Sequence, residues 1–114
     1  MNLQQFRTEL IENGGSTYNF NSHKPTPETG YMVSIKGKEQ TYKFADTVNI
    51  KSYVIANIAD LLEDDKFLGG WEHNGIYYLD VSVHFDDLKE AQAFGRANDQ
   101  IAIYDLSDKT EIVL

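Results

Sequence analysis

The segment Ile76–Phe85, IYYLDVSVHF, carries the residues nearest to a reaction centre. Asp80, Ser82 and His84 recur at every second position, which puts an acid, a nucleophile and a base on one face of a strand. A serine hydrolase needs the three in mutual hydrogen-bond contact, whereas strand neighbours two apart are separated by about 6.5–7 Å of backbone. No glycine pattern of the nucleophile-elbow kind surrounds Ser82. The spacing therefore favours a polar, solvated sheet face. A small hydrolase or metal-dependent enzyme using Asp80 and His84 is the alternative. Metal ligation would need Glu72, His73, Asp80 and His84 to converge. A hairpin turning at Asn74-Gly75 puts His73 opposite Ile76 and far from His84, and neither HxH nor HExxH spacing occurs. His23, in a proline-bearing loop, reads as a surface histidine.

The chain contains no cysteine, so thiolate catalysis, disulfides and cysteine-ligated metals are excluded. Gly14-Gly15 and Gly69-Gly70 match neither the P-loop pattern nor GxGxxG. The expectation is no resident metal and no cofactor.

Acids are the more abundant chemistry. Eighteen Asp and Glu face ten Lys and Arg, for a net charge of −8 over 114 residues. Residues 1–56 carry six bases and five acids, and residues 57–114 carry four bases and thirteen acids. Such a chain lacks the cations that replace counterions on phosphates, so direct nucleic-acid binding is not expected, and an anionic membrane repels it. Asp60, Glu63, Asp64 and Asp65 crowd the end of an expected helix, where negative charge opposes the helix dipole. Asp86, Asp87 and Glu90 crowd the start of another, where it is favoured. One use for such a set is to imitate phosphates and occupy the groove of a basic nucleic-acid-binding protein. The plainer reading is a solvated surface that keeps a small domain soluble. Trp71, Tyr78 and the adjacent Glu72 are candidate anchors facing a partner.

The elements that must position these groups follow from periodicity. Leu3, Phe6, Leu10 and Ile11 have helical spacing, ended by Gly14-Gly15. Residues 16–20 predict a short strand, and Asn21 to Gly30, with Pro25 and Pro27, the longest loop. Residues 30–36 alternate, Lys36-Gly37-Lys38 reads as a tight turn, and Glu39 to Phe44 is expected to return as the second strand of a hairpin. Ile50, Val54, Ile58, Leu61 and Leu62 predict one helix to Glu63, with Asp46 or Asn49 as its cap. Asn74-Gly75 predicts a hairpin between residues 67–73 and 76–85. In its second strand Tyr77, Leu79, Val81, Val83 and Phe85 face the core and the alternate residues face water. Asp87 and Glu90 have capping-box spacing at the head of a helix carrying Leu88, Ala91 and Phe94. Residues 101–106 and 110–114 predict the last two strands. The sum is a single α+β domain: a twisted, mainly antiparallel sheet with two main helices on one face and a short N-terminal helix.

Three blocks carry a resemblance to a known group. They are Gly14-Gly15 with Thr29-Gly30-Tyr31-Met32-Val33-Ser34; Phe67-Leu68-Gly69-Gly70-Trp71 with Tyr78-Leu79-Asp80-Val81-Ser82; and Phe94-Gly95-Arg96 with Asn98 and Gln100 to Asp105. Together they resemble a family of small uncharacterised proteins of bacteriophages, plasmids and their bacterial hosts. The resemblance spans about Asn13 to Ile112 and implies no catalytic residue. It implies a setting, the cytoplasm of a bacterium bearing such an element, and accessory or counter-defence roles. A secretory signal is not expected from the residues that open the sequence, and no run of 18 apolar residues is present.

The leading expectation is a small acidic, non-enzymatic interaction protein, with a basic nucleic-acid-binding protein as partner. The alternatives are the Asp80/His84 enzyme and a structural protein that oligomerises through exposed edges such as Thr110 to Leu114.

Overall fold

The computed structural model describes residues 2–20 and 26–114. Helix α1 (Leu3–Asn13) opens at Asn2. The Asn2 side chain accepts from the Gln5 amide, and the Gln5 side chain accepts from the Asn2 amide, so two otherwise orphaned donors are satisfied together. Its inward face buries Phe6 and Leu10 completely, worth about 1.5–3 kcal/mol for each side chain.

Seven strands follow in one antiparallel sheet: β1 (Gly15–Tyr18), β2 (Tyr31–Ser34), β3 (Gln40–Tyr42), β4 (Lys66–His73), β5 (Ile76–Phe85), β6 (Ala102–Asp105) and β7 (Thr110–Val113). Their order is β1-β4-β5-β2-β6-β7, with β3 also paired to β5. Helices α2 (Thr47–Ala56), α3 (Ile58–Leu61) and α4 (Leu88–Ala97) complete the chain. This is the expected α+β architecture.

The β4–β5 hairpin turns at Asn74-Gly75, both at positive φ (52° and 78°), as its two-residue turn requires. Tyr77, Leu79 and Val81 on β5 join Phe6, Leu10, Ile50, Tyr53, Val54, Leu61 and Leu68 in one core cluster. Val33, Ala91 and Ile103 form a second, supported by Tyr31, Phe85, Phe94, Ile112 and Leu114. Both clusters use the same alternation of the sheet, so the helices cover one face only. Among the described residues no helix is long and apolar enough to cross a membrane.

Three expectations fail. First, β2 and β3 form no hairpin. Both run antiparallel to β5, β2 on Ser82 to Phe85 and β3 on Tyr77 to Leu79, so the chain continues in one direction along one edge. Residues 36–39 bulge out between them. The Tyr53 hydroxyl donates to the Lys38 carbonyl at 2.7 Å, and Lys38 Nζ meets Asp60 Oδ2 at 3.0 Å. The excursion is thus tied to the helix layer instead of reversing.

Second, the helix expected to reach Glu63 breaks at Asn57. The Asn57 side chain donates back to the Tyr53 carbonyl, competing with helical continuation. Ile50, Val54 and Leu61 are buried as expected, but Ile58 and Leu62 are exposed.

Third, the alternate face of β5 is not simply wet. Asp80 and Ser82 are 6% and 5% exposed, flanked by the buried Phe67 and Met32. The reading of His23 as a surface residue lies outside the described residues.

Candidate functional site

The helix-free face of the sheet holds the reactive-looking side chains. On β5 it presents Tyr78, Asp80, Ser82 and His84, and on β4 Phe67, Gly69, Trp71 and His73. Asp80 lies opposite Gly69. A Cβ there would overlap Asp80 Oδ1, so the glycine gives the carboxylate its space. The Ser34 hydroxyl donates to Asp80 Oδ2 at 2.7 Å and the Ser82 hydroxyl to Oδ1 at 2.9 Å. Burial pushes the Asp80 carboxyl above the usual carboxylate range, against the two serine bonds that favour the anion. Glu39 is raised too, first by desolvation and then by the Asp80 charge.

This arrangement holds a carboxylate; it does not activate a nucleophile. The Ser82 hydroxyl donates to the Asp80 carboxyl, and no imidazole accepts from it. His84 lies beyond, its Nε2 hydrogen-bonded at 2.8 Å to the Thr29 carbonyl and 4.0 Å from Asp86. It makes no hydrogen bond to Ser82 or Asp80. The strand spacing expected to keep such neighbours apart does not separate Asp80 from Ser82, which meet, but His84 is turned to the loop and completes no triad. Among the described residues no group of three or more His, Asp or Glu could hold a metal ion.

Apart from Asp60, the remaining candidate residues divide between the two ends of the sheet. At the hairpin end, Trp71 and Tyr78 stack with ring centroids 4.2 Å apart and an interplanar angle of 12°. His73 packs against Trp71 at 5.9 Å. Glu72 Oε1 accepts from the Gly75 amide at 2.7 Å and so clamps the turn. These contacts give Trp71, Glu72 and Tyr78 structural employment within the hairpin.

The opposite end gathers the acids. The register sets Lys66 opposite Val83, Phe85 opposite Tyr31, Tyr31 opposite Asp105 and Asp105 opposite Thr110. Glu63, Asp64 and Asp65 lead into β4 at this end, and Asp86, Asp87 and Glu90 follow β5 into α4. Glu28 precedes β2, and Asp105 and Asp108 flank the β6–β7 turn. Nine carboxylates thus stand here against Lys66, Lys89 and Lys109 among the described residues.

Some of the nine have local tasks. Lys66 Nζ contacts Glu63 at 3.1 Å and Asp65 at 2.8 Å. Asp87 caps α4 by accepting from the Glu90 amide, the first half of the expected capping box. Asp105 Oδ1 accepts from the Ser107 and Asp108 amides. Asp86 extends into solvent, its side chain 94% exposed. Asp60 belongs elsewhere, paired with Lys38 on the helix side. The sequence pattern groups Asp60 to Asp65 and Asp86 to Glu90 at two expected helix ends, but not Glu28, Asp105 and Asp108, which lie far apart in sequence and come to this end only through the register.

No family model, curated protein or solved structure matches the chain.

Proposed function

We propose that this protein is a non-enzymatic interaction protein that docks a basic, nucleic-acid-binding protein through the acidic end of its sheet. The observation that carries the reading is the register, which brings the 63–65 turn, the 86–90 helix start and the 105–108 turn to one end. Clustered charge at one pole raises local potential and steers a cationic partner over distances set by the Debye length, about 8 Å at physiological salt. The engaged state of Asp80 and His84 supports the non-enzymatic half of the proposal, because both groups already serve internal bonds. The setting implied by the resemblance, a bacteriophage or plasmid acting in a bacterium, is part of the proposal.

The test is capture from a bacterial lysate. The intact protein is compared with a variant carrying amides at Glu63, Asp64, Asp65, Asp86 and Asp87. The expected result is retention of basic nucleic-acid-binding proteins that is lost in the variant and displaced by added duplex DNA. Equal capture by both proteins, or capture that DNA leaves untouched, defeats the reading. Asn at position 87 still caps a helix, so α4 survives the change.

A further inference from the structure

Between α1 and α2 lies an open cavity of about 210 Å³, lined by Leu3, Gln4, Arg7, Thr47, Ile50 and Lys51. Two cations, two neutral polar side chains and two aliphatic ones meet there, and none of the eighteen acids lines it. Three lysines find carboxylates: Lys36 pairs with Asp99, Lys38 with Asp60, and Lys66 with Glu63 and Asp65, whereas Lys43, Lys89, Arg96 and Lys109 show no ion pair among the described residues. Arg7 and Lys51 likewise have no carboxylate within 4 Å among the described residues, and these two share one cavity.

The positions of these two cations are fixed by different means. Arg7 Nε donates to the Ala45 carbonyl at 2.8 Å, which anchors the guanidinium beside the start of α2. One of its five N–H groups is used, and the planar fork of the others matches a carboxylate or a phosphate. Lys51 stands one turn into α2 and lines the same cavity. The nearest acid in sequence, Asp46, is occupied as the cap of α2, its Oδ1 accepting from the Asn49 amide at 2.8 Å. Ile50, 2% exposed, and Leu3 supply an apolar floor.

We propose that this cavity is a binding site for a small organic anion, with a carboxylate or phosphate head and a short apolar body. The head lies between Arg7 and Lys51, with Gln4 and Thr47 as neutral donors, and the body rests on Leu3 and Ile50. The volume falls below the roughly 300–1,000 Å³ of sites for drug-sized molecules, which limits the ligand to a few carbons beyond its head group. This site is separate from the acidic sheet end and does not depend on it.

The test is an NMR titration at constant ionic strength with two probes, sodium isobutyrate and inorganic phosphate, using sodium chloride as the blank. The expected result is saturable shifts of the Leu3, Thr47 and Ile50 amides, with Kd on the order of 1 mM. Saturation by isobutyrate alone assigns a carboxylate head, and by phosphate alone a phosphate head. Lys51→Gln and Arg7→Gln should each weaken binding about tenfold, while Lys43→Gln, which removes an equal charge outside the cavity, leaves it unchanged. Because Arg7 also anchors Ala45, the exposed Lys51 variant is decisive if Arg7→Gln disturbs the fold. Shifts that fail to saturate with either probe, or equal weakening by Lys43→Gln, overturn the proposal.

Discussion

Gly69→Ala adds one methyl group to a strand, a change that ordinarily favours the strand by roughly 0.5–1 kcal/mol over glycine. Here the added Cβ would overlap Asp80 Oδ1 and lie 3.2 Å from its Cγ. The carboxylate cannot swing aside freely, because Ser34 and Ser82 hold its two oxygens at 2.7 and 2.9 Å. Hydrogen bonds to a charged group contribute about 1.5–3 kcal/mol each, so displacing the carboxylate costs about 3–6 kcal/mol. Shifting β4 instead costs about 1–3 kcal/mol by overpacking, and disturbs its pairing on both sides. The expected loss for Gly69→Ala is therefore about 3 kcal/mol, a large share of a total that is typically 5–15. In an Asp80→Ala background the obstruction is absent. The next atom is Ser82 Oγ at 3.5 Å, an ordinary contact, so the same methyl becomes neutral or mildly stabilising. Urea unfolding of the wild type, both single variants and the double variant, followed by Trp71 fluorescence, measures the coupling. It should reach about 3 kcal/mol, whereas unconnected sites add within about 0.5. If Gly69→Ala alone does not fold, the double variant must still fold with the midpoint of Asp80→Ala. Additive losses, or a double variant less stable than Asp80→Ala, would refute the claim that Gly69 exists to house this carboxylate.

Two further outcomes follow from the same face. Burial raises the folded-state pKa of Asp80 above its unfolded value, so the native state holds the proton more tightly. The penalty is absent below the unfolded pKa, near 3.9, and grows to completion as pH rises through the folded one. Asp80→Asn abolishes it, so the variant should gain stability relative to wild type between pH 3.5 and 7.5, by about 1.4 kcal/mol for each unit of pKa elevation; a difference that stays flat in paired urea titrations contradicts the assignment. Gly30 has φ +89°, and a Cβ there would press on both the Phe85 carbonyl and His84 Nε2. Gly30→Ala should cost at least about 1–3 kcal/mol in thermal unfolding, and a variant within 0.5 kcal/mol of wild type would contradict that geometry.

The sequence was most legible where a signal was local. Asn74-Gly75 lies between two alternating runs, and the turn and the register of β4 on β5 follow directly. Asp87 caps α4 where the spacing of Asp87 and Glu90 put the cap. Misreading began where a distant group decides the outcome. Lys36-Gly37-Lys38 has the composition of a hairpin turn, yet Tyr53 and Asp60 capture Lys38 and carry the strand onward. Ile58 and Leu62 extend the helical stripe on paper, but Asn57 bonds back to Tyr53 and redirects the following turn. Asn98 ends α4 by the same device, donating to the Phe94 carbonyl. Alternation along β5 separated the two faces correctly; it could not show that Gly69, eleven residues earlier, makes the second face able to bury Asp80.

The charge distribution shows why a linear reading places acids imperfectly. In an antiparallel sheet, connections alternate between two ends, so segments far apart in sequence recur at one pole. The connections into β4, out of β5 and between β6 and β7 all fall at the end where Tyr31 pairs with both Phe85 and Asp105. Those connections hold most of the nine carboxylates, and the six bases Arg7, Lys36, Lys38, Lys43, Lys51 and Arg96 lie in segments outside this end. A uniform coat of acid would serve solubility equally well and would avoid the mutual repulsion of like charges at one pole. Polarisation adds nothing to solubility, but it gives the molecule a direction in an external field and in a partner's field. On the proposed reading, that asymmetry is what a docking surface requires and a solubilising one does not. Moving three acids from this end to the helix face, at constant net charge, should therefore abolish partner capture while leaving solubility intact; capture that survives the rearrangement would show that only total charge matters.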